Sequence, residues 1–384
     1  MTRNFATSPS NSPLPPNPRT IFSPYRICPI GAHVDHQGGP VLGRTLNLGT
    51  TLEYEPLDSD EIQIVSAQCG QTKFRIGDLD KIHWARYAQA AARVLQPKRG
   101  MTAHVNGALI GAGLSSSASI GLAYLKALAD VNDIELTNEK LVRLDYELEH
   151  EQLGLHNGIL DPLTIVHGKR EVLLFMDTLS ASVTPISDPP NSDAAWIIAY
   201  SGVSRELTKS GFNVRVEECR QAASSLKPGA DILSDVPREL FEKKKMKVPE
   251  TLRKRAEHFF SEVDRVQRGA NAWREANLVL LGQLMNQSCA SSIRSYESGS
   301  EILIELHELV SSTGGIYGSR FSGGGYGGCV VALAKQELAE PACAEIAERF
   351  LARHPELPSR VFVAETGDGI SSLLPGEESS EVRS

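Results

Sequence analysis

The 384-residue chain has no excess of positive charge: 39 Lys and Arg stand against 47 Asp and Glu, a formal net charge of −8. A broad nucleic-acid-binding face needs the opposite balance, so nucleic acid is not an expected partner. There is no CxxC pair and no zinc spacing. The six cysteines stand apart at 28, 69, 219, 289, 329 and 343, as reduced thiols of a cytoplasmic protein do. No apolar run reaches the roughly 18 residues of a membrane span, so no membrane partner is expected. The opening is rich in Ser, Pro and Asn and lacks an apolar h-region, which argues against a secretory signal. It also lacks any acid before Asp35, a composition compatible with an organelle leader. No internal repeat of fixed period is present.

What is present reads as a mixed α and β chain with two tails, 1–20 and 373–384, of low-complexity polar composition. Thr50 to Tyr54 and Glu61 to Ala67 have the alternation of strands. Trp84 to Leu95, the apolar stretch IGLAYLKALADV, and Asn138 to Leu153 have helical spacing. A further helix follows Gly158. EVLLFM and AWIIAY read as strands, and SDPPNSD between them is the best linker. The expected domains are therefore 21–187 and 194–372. Helices dominate from Val214 to Ser311, where the basic run KKKMK reads as a solvated face.

Four segments carry candidate chemistry. GAGLSSSAS, from Gly111 to Ser119, precedes a helix. Small residues let backbone N–H groups approach an anion, and the helix N-terminus adds partial positive charge. It lacks the lysine of a Walker A loop. Gly323-x-Gly325-x-x-Gly328 matches GxGxxG, but the strand-like CVVALA follows where a dinucleotide fold needs a helix. Its glycines instead imply backbone held close to something else. SPYRICPIGAHVDHQGGPV gathers Arg26, His33, Asp35 and His36 among buried-type residues, without the remainder of a metal-ligand set. Finally, Glu149-His150-Glu151 precedes Asp161. One carboxylate near a phosphate loop can hold Mg²⁺, and another can orient or deprotonate a hydroxyl. An exposed helix end for Glu149 and a helix N-cap for Asp161 stay open on local sequence alone.

Taken together, YRICPIGAHVDHQGG, GAGLSSSAS and GSRFSGGGYGGC occur in order, with HWARY, EHEQLGLHNGILD and GFNVRVEEC between them. In this the chain resembles the GHMP family of small-molecule kinases, and within it the galactokinase branch, from about residue 23 to 370. The resemblance implies an α+β, two-domain kinase with its active site in the cleft between the domains. It implies ATP and Mg²⁺ as cofactors and a small-molecule sugar as partner. Arg26 and Asp161 fall on the catalytic positions, and Ser117 and Glu149 on the Mg²⁺ ligands. His33 and Asp35, with Ala32, Gly158 and Phe212, fall on the sugar side. Gly111, Gly113, Leu114, Ser115, Ser116, Ser117, Ala118, Ser119 and Trp84 fall on the nucleotide side. A monomer is the default expectation.

Three departures reshape the sugar side: Phe212 for a Tyr, Pro162 for a Gln and His36 for a Tyr. The fourth is Ala32, where galactokinases carry a Glu that contacts the sugar's 6-hydroxyl. Two carboxylates about 4 Å apart repel by about 4 kcal/mol at an effective dielectric near 20. That is roughly a thousandfold in affinity. Alanine removes the repulsion, so the expected substrate is a uronic acid phosphorylated at its anomeric hydroxyl. The wording SPYRICP-G-AH-DHQGG is similar to that of the plant galacturonokinases, which implies D-galacturonate. Galactose, glucuronate (the epimer of galacturonate at carbon 4), and a catalytically silent sugar sensor are the alternatives. Arg205 is the candidate cation for the substrate carboxylate.

Overall fold

The structure, a computed structural model, describes residues 18–78, 84–204 and 211–373. The expected tails lie almost wholly outside the described residues, as does Arg205. In chain order the elements are β1 (Arg19–Ile27), β2 (Val41–Pro56), β3 (Glu61–Ser66), β4 (Gly70–Arg75), α1 (Arg86–Leu95), β5 (Met101–Gly107), α2 (Ser116–Val131) and α3 (Asn138–Glu147). Then come α4 (Leu160–His167), β6 (Val172–Asp177), β7 (Ser182–Ser187), β8 (Ala194–Tyr200), α5 (Phe212–Leu226), α6 (Arg238–Lys244) and α7 (Glu250–Arg274). The chain continues through α8 (Leu278–Ser291), α9 (Glu301–Ser311), β9 (Ile316–Ser322), β10 (Cys329–Lys335), α10 (Ala339–Arg353), β11 (Arg360–Ala364) and β12 (Ser371–Leu373).

Two sheets result. The larger runs β12-β1-β2-β5-β3-β4, with β6 on β2 and β7 on β6; the smaller runs β11-β8-β10-β9 and is antiparallel throughout. Strand β1 begins inside the stretch read as an N-terminal tail. Thr20 pairs on one side with Leu373 and on the other with Glu53, so both edges of the backbone are bonded. Such long-range pairing leaves no local sequence signal. The expected glycine loop GSRFSGGGYGG also differs: its first five residues belong to β9, paired to β10. The SDPPNSD connection is pinned, because the buried Arg44 guanidinium donates two hydrogen bonds to Asp188. Arg44 also lies 5.9 Å and 5.5 Å from the ring centres of Trp196 and Trp273, a favourable cation–π placement.

The hydrophobic core that joins the sheets decides where the site lies. Tyr25, Ile27 and Leu46 from the larger sheet pack with Trp196, Ile198 and Val331 from the smaller one. Ala112 and Leu114, from the loop before α2, are buried in this same core. The loop is therefore anchored at the seam between the sheets, and its remaining residues border a cleft of about 730 Å³.

Candidate active site

Four positive-φ residues shape the loop before α2: Leu109 at +48°, Gly111 at +76°, Gly113 at +76° and Ser115 at +62°. Gly113 must be glycine on two counts. Its φ disfavours a side chain, and a Cβ there would sit 2.6 Å from the Ser322 carbonyl oxygen. On the facing loop a Cβ at Gly328 would meet the Ala112 carbonyl at 2.6 Å. The glycines after β9 thus approach the backbone of the first loop. Gly111, Gly113, Ser115, Ser116 and Ser117 border the cleft, as does Trp84. Leu114, Ala118 and Ser119 do not: their side chains are buried, and Ser119 Oγ donates to the Ser23 carbonyl at 2.7 Å and lies 2.9 Å from Thr50 Oγ1. Expected on the nucleotide side, those three side chains instead fix the loop to β1 and β2, because α2 turns every third or fourth side chain inward.

Arg26 and Asp161 meet at the floor of the cleft. The register between β1 and β2 shifts between Pro24 and Arg26, a local irregularity of the kind that re-aims a side chain. Arg26 is buried, and its Nε donates to Asp161 Oδ1 at 2.7 Å. Its Nη1 donates to the Gly113 carbonyl and to Ser322 Oγ, each at 3.2 Å. One arginine thereby ties together β1, the loop before α2, β9 and the first turn of α4. The other oxygen of Asp161 accepts a short hydrogen bond from Ser115 Oγ. No local pattern announces that bond, since Ser115 reads as one more small loop residue.

Glu149 lies on a widened turn, Leu148–Gln152, that continues α3. It is buried, and its Oε2 accepts from Asn157 Nδ2 at 2.5 Å while Oε1 has no partner. Burial, with the nearby Asp161 charge, pushes its carboxyl up to about 7. The Ser117 hydroxyl interacts with both Glu149 and Tyr87. Among the described residues no three His, Cys, Asp or Glu side chains converge on one ion position. Ser117 and Glu149 nevertheless fit a hard divalent cation, which takes one or two protein oxygens and completes its shell from phosphate and water.

The segment after β1 packs beside the start of α4, but Ala32, His33, Asp35, Gly158 and Phe212, expected on the sugar side, are not among the residues that border the cleft. His33 (φ +65°) stacks on Tyr296 with ring centres 4.1 Å apart, and its Nε2 lies 3.3 Å from Ser298 Oγ. Burial, with His258 and Arg320 nearby, holds its pKa well below the usual value. Phe212, the first residue of α5, lies 6.5 Å from His33 and 5.9 Å from His36 between ring centres. His36 Nε2 lies 3.0 Å from the Tyr296 hydroxyl. Asp35 Oδ2 accepts the Leu160 N–H at 3.3 Å, and a Cβ at Gly158 would lie 2.5 Å from that same oxygen. Glycine at 158 is what lets Asp35 approach the start of α4. Burial, then the Asp161 charge, raises the Asp35 carboxyl to about 6. Ala32 is buried, and its carbonyl lies 3.0 Å from His258 Nε2. Sequence reading did not find His258 or Tyr296, which arrive from distant helical segments.

Comparisons with known proteins identify the family. Residues 86–169 match the GHMP kinases N terminal domain, and residues 271–352 the GHMP kinases C terminal domain. The chain is 35% identical to a galacturonokinase of Arabidopsis thaliana, over 93% of this chain and 94% of the relative. It is 32% identical to a galactokinase of Limosilactobacillus fermentum, over 83% and 86%. In structure it superposes on a galactokinase of Lactococcus lactis complexed with galactose, with a TM-score of 0.86, 27% identity and coverage of 93% and 95%. The fold is also that of a mevalonate kinase from Methanococcus jannaschii, at a TM-score of 0.63 and 18% identity. No described helix is long and apolar enough to cross a membrane. The chain belongs to the GHMP kinase family: it has that family's two-domain fold and is a sugar kinase, a phosphotransferase that uses ATP.

Proposed function

We propose that this enzyme phosphorylates the anomeric hydroxyl of D-galacturonate, with Mg²⁺-ATP as donor, giving galacturonate 1-phosphate and ADP. The observation that carries the substrate is Ala32. No carboxylate stands at that position, beside His33 and His258, whose buried rings are held neutral. The name of the Arabidopsis relative supports the same choice.

Asp161 is assigned to the sugar hydroxyl. Each of its oxygens already accepts one hydrogen bond, and a carboxylate oxygen has a second lone pair for the attacking group. It orients that hydroxyl and takes its proton. Arg26 stabilises the charge on the transferring phosphoryl group. Its Nη2 has no protein partner among the described residues, and Arg26 is one of the residues that border the cleft. Ser117 and Glu149 would hold Mg²⁺, which neutralises phosphate charge when bound. Gly111, Gly113, Ser116 and the α2 N-terminus receive the phosphates, with Trp84 at the nucleotide end. His33, Asp35, Gly158 and Phe212 form the sugar wall. All these groups come from one chain, so a monomer suffices. The six cysteines are free thiols, in keeping with uronic acid salvage in the cytoplasm.

The test is the product. Phosphorus NMR after incubation with galacturonate and Mg²⁺-ATP should show a phosphate ester coupled to the anomeric proton. Phosphate at another carbon, or ATP consumption without a sugar ester, would overturn the assignment.

A further inference from the structure

Asp145 lies four residues before Glu149, one helical turn earlier on α3, and has no role in the account above. It is fully buried, and neither Oδ1 nor Oδ2 has a hydrogen-bond partner. Among the described residues it forms no ion pair. A carboxylate in that condition is costly to the fold and needs a reason.

Its surroundings supply one. A Cβ at Gly121 would lie 2.7 Å from Asp145 Oδ1, and Gly121 is one turn beyond Ser117 on α2. The two helices therefore set Ser117 against Glu149 and Gly121 against Asp145. Gly121 clears the space the second carboxylate occupies. Tyr87 lies within the field of both carboxylates and interacts with Ser117. Three oxygens in this one place are buried without partners: Asp145 Oδ1, Asp145 Oδ2 and Glu149 Oε1. When the two carboxyls are ionised all three accept, so the group they suit is cationic or rich in donors.

We infer that Asp145 is a positioning residue of the divalent-cation site, accepting hydrogen bonds from water carried by the ion. This rests on the reading that Ser117 and Glu149 hold that ion. A magnesium ion keeps several waters in protein sites, and groups that fix the outer shell typically contribute 10- to 100-fold in metal affinity.

The experiment is titration of the full chain with Mn²⁺ in the presence of ADP and without sugar, followed by electron paramagnetic resonance. Asp145→Asn should weaken Mn²⁺ binding about 10- to 100-fold, with metal-free ADP affinity unchanged. Glu149→Gln, run in parallel, should weaken it at least as much. If Glu149→Gln binds Mn²⁺ as the parent does, the ion site itself is misplaced. If only Glu149→Gln loses binding, Asp145 has a purely structural role and the inference fails, whatever its melting temperature. Should Asp145→Asn not fold, Gly121→Ala reads the same quantity, because its methyl group displaces Asp145 Oδ1. Parent-like Mn²⁺ affinity in that variant overturns the inference equally.

Discussion

Two neighbouring carboxylates, Asp161 and Glu149, are built into the fold on opposite terms. Around Asp161 the protein satisfies its own polar groups: Arg26 and Ser115 occupy one oxygen each, and Arg26 is further anchored to Gly113 and Ser322. Around Glu149 it does not, and three carboxylate oxygens are buried without partners. The contrast separates two tasks. A group that must meet a reacting hydroxyl at a fixed place is preorganised by partners that stay put. Groups that receive an ion are left open, at a cost to stability that binding recovers.

This comparison can be broken most sharply at its satisfied end. Asp161→Asn should lower kcat by about 10³-fold or more, within the range of general acid–base contributions. Its Mn²⁺ affinity should fall less than that of Glu149→Gln, since Asp161 acts on Glu149 through its charge and is not one of the residues proposed to hold the ion. Steady-state kinetics with a metal titration check both. Next in size is Ala32→Glu, which should shift the ratio of kcat/KM for galacturonate over galactose by about a thousandfold towards galactose. An unchanged ratio would remove the charge argument. Ser115→Ala takes away one of the two donors on Asp161. A hydrogen bond to a charged group contributes about 1.5–3 kcal/mol, so kcat should fall at least about tenfold.

The smallest effect concerns the wall around Ala32. Burial lowers the His258 pKa to about 4, while the unfolded chain protonates it near 6.5. As pH falls from 6.5 towards 4 the unfolded state gains a proton that the folded state refuses, so stability is lost through that window. His258→Gln removes this term. Relative to the variant, the parent should lose up to about 1.4 kcal/mol per pH unit on acidification, read by urea unfolding at pH 7, 5.5 and 4.5. Parallel curves would mean that the ring is not held neutral.

How much of this was legible beforehand follows the same division. Arg26, Asp161, Glu149 and the loop before α2 lie in short segments that stood out in the sequence, although only the family resemblance gave Arg26, Asp161 and Glu149 their roles. The strands Glu61–Ser66 and Ala194–Tyr200 announce themselves by β-branched and apolar content. Asp145 was not legible, because an acid one turn before another on a helix reads as an exposed face until α2 is packed over it. Ser119 was misread for the opposite reason: a loop serine looks available until its hydroxyl is found on the Ser23 carbonyl. Strand β12, three residues that pair with β1 from the far end of the chain, has too little length to carry a pattern. The purpose of the glycines after β9 also waited for the structure, since what they approach is backbone more than two hundred residues away.

The central claim is that alanine rather than a carboxylate at position 32 favours a carboxylate-bearing sugar. The measurement that tests it most directly is kcat/KM from ADP release for galacturonate, galactose and glucuronate, under matched Mg²⁺-ATP. The account predicts a clear preference for galacturonate. Equal or greater efficiency with galactose would contradict it and leave a galactokinase with an alanine in its sugar wall.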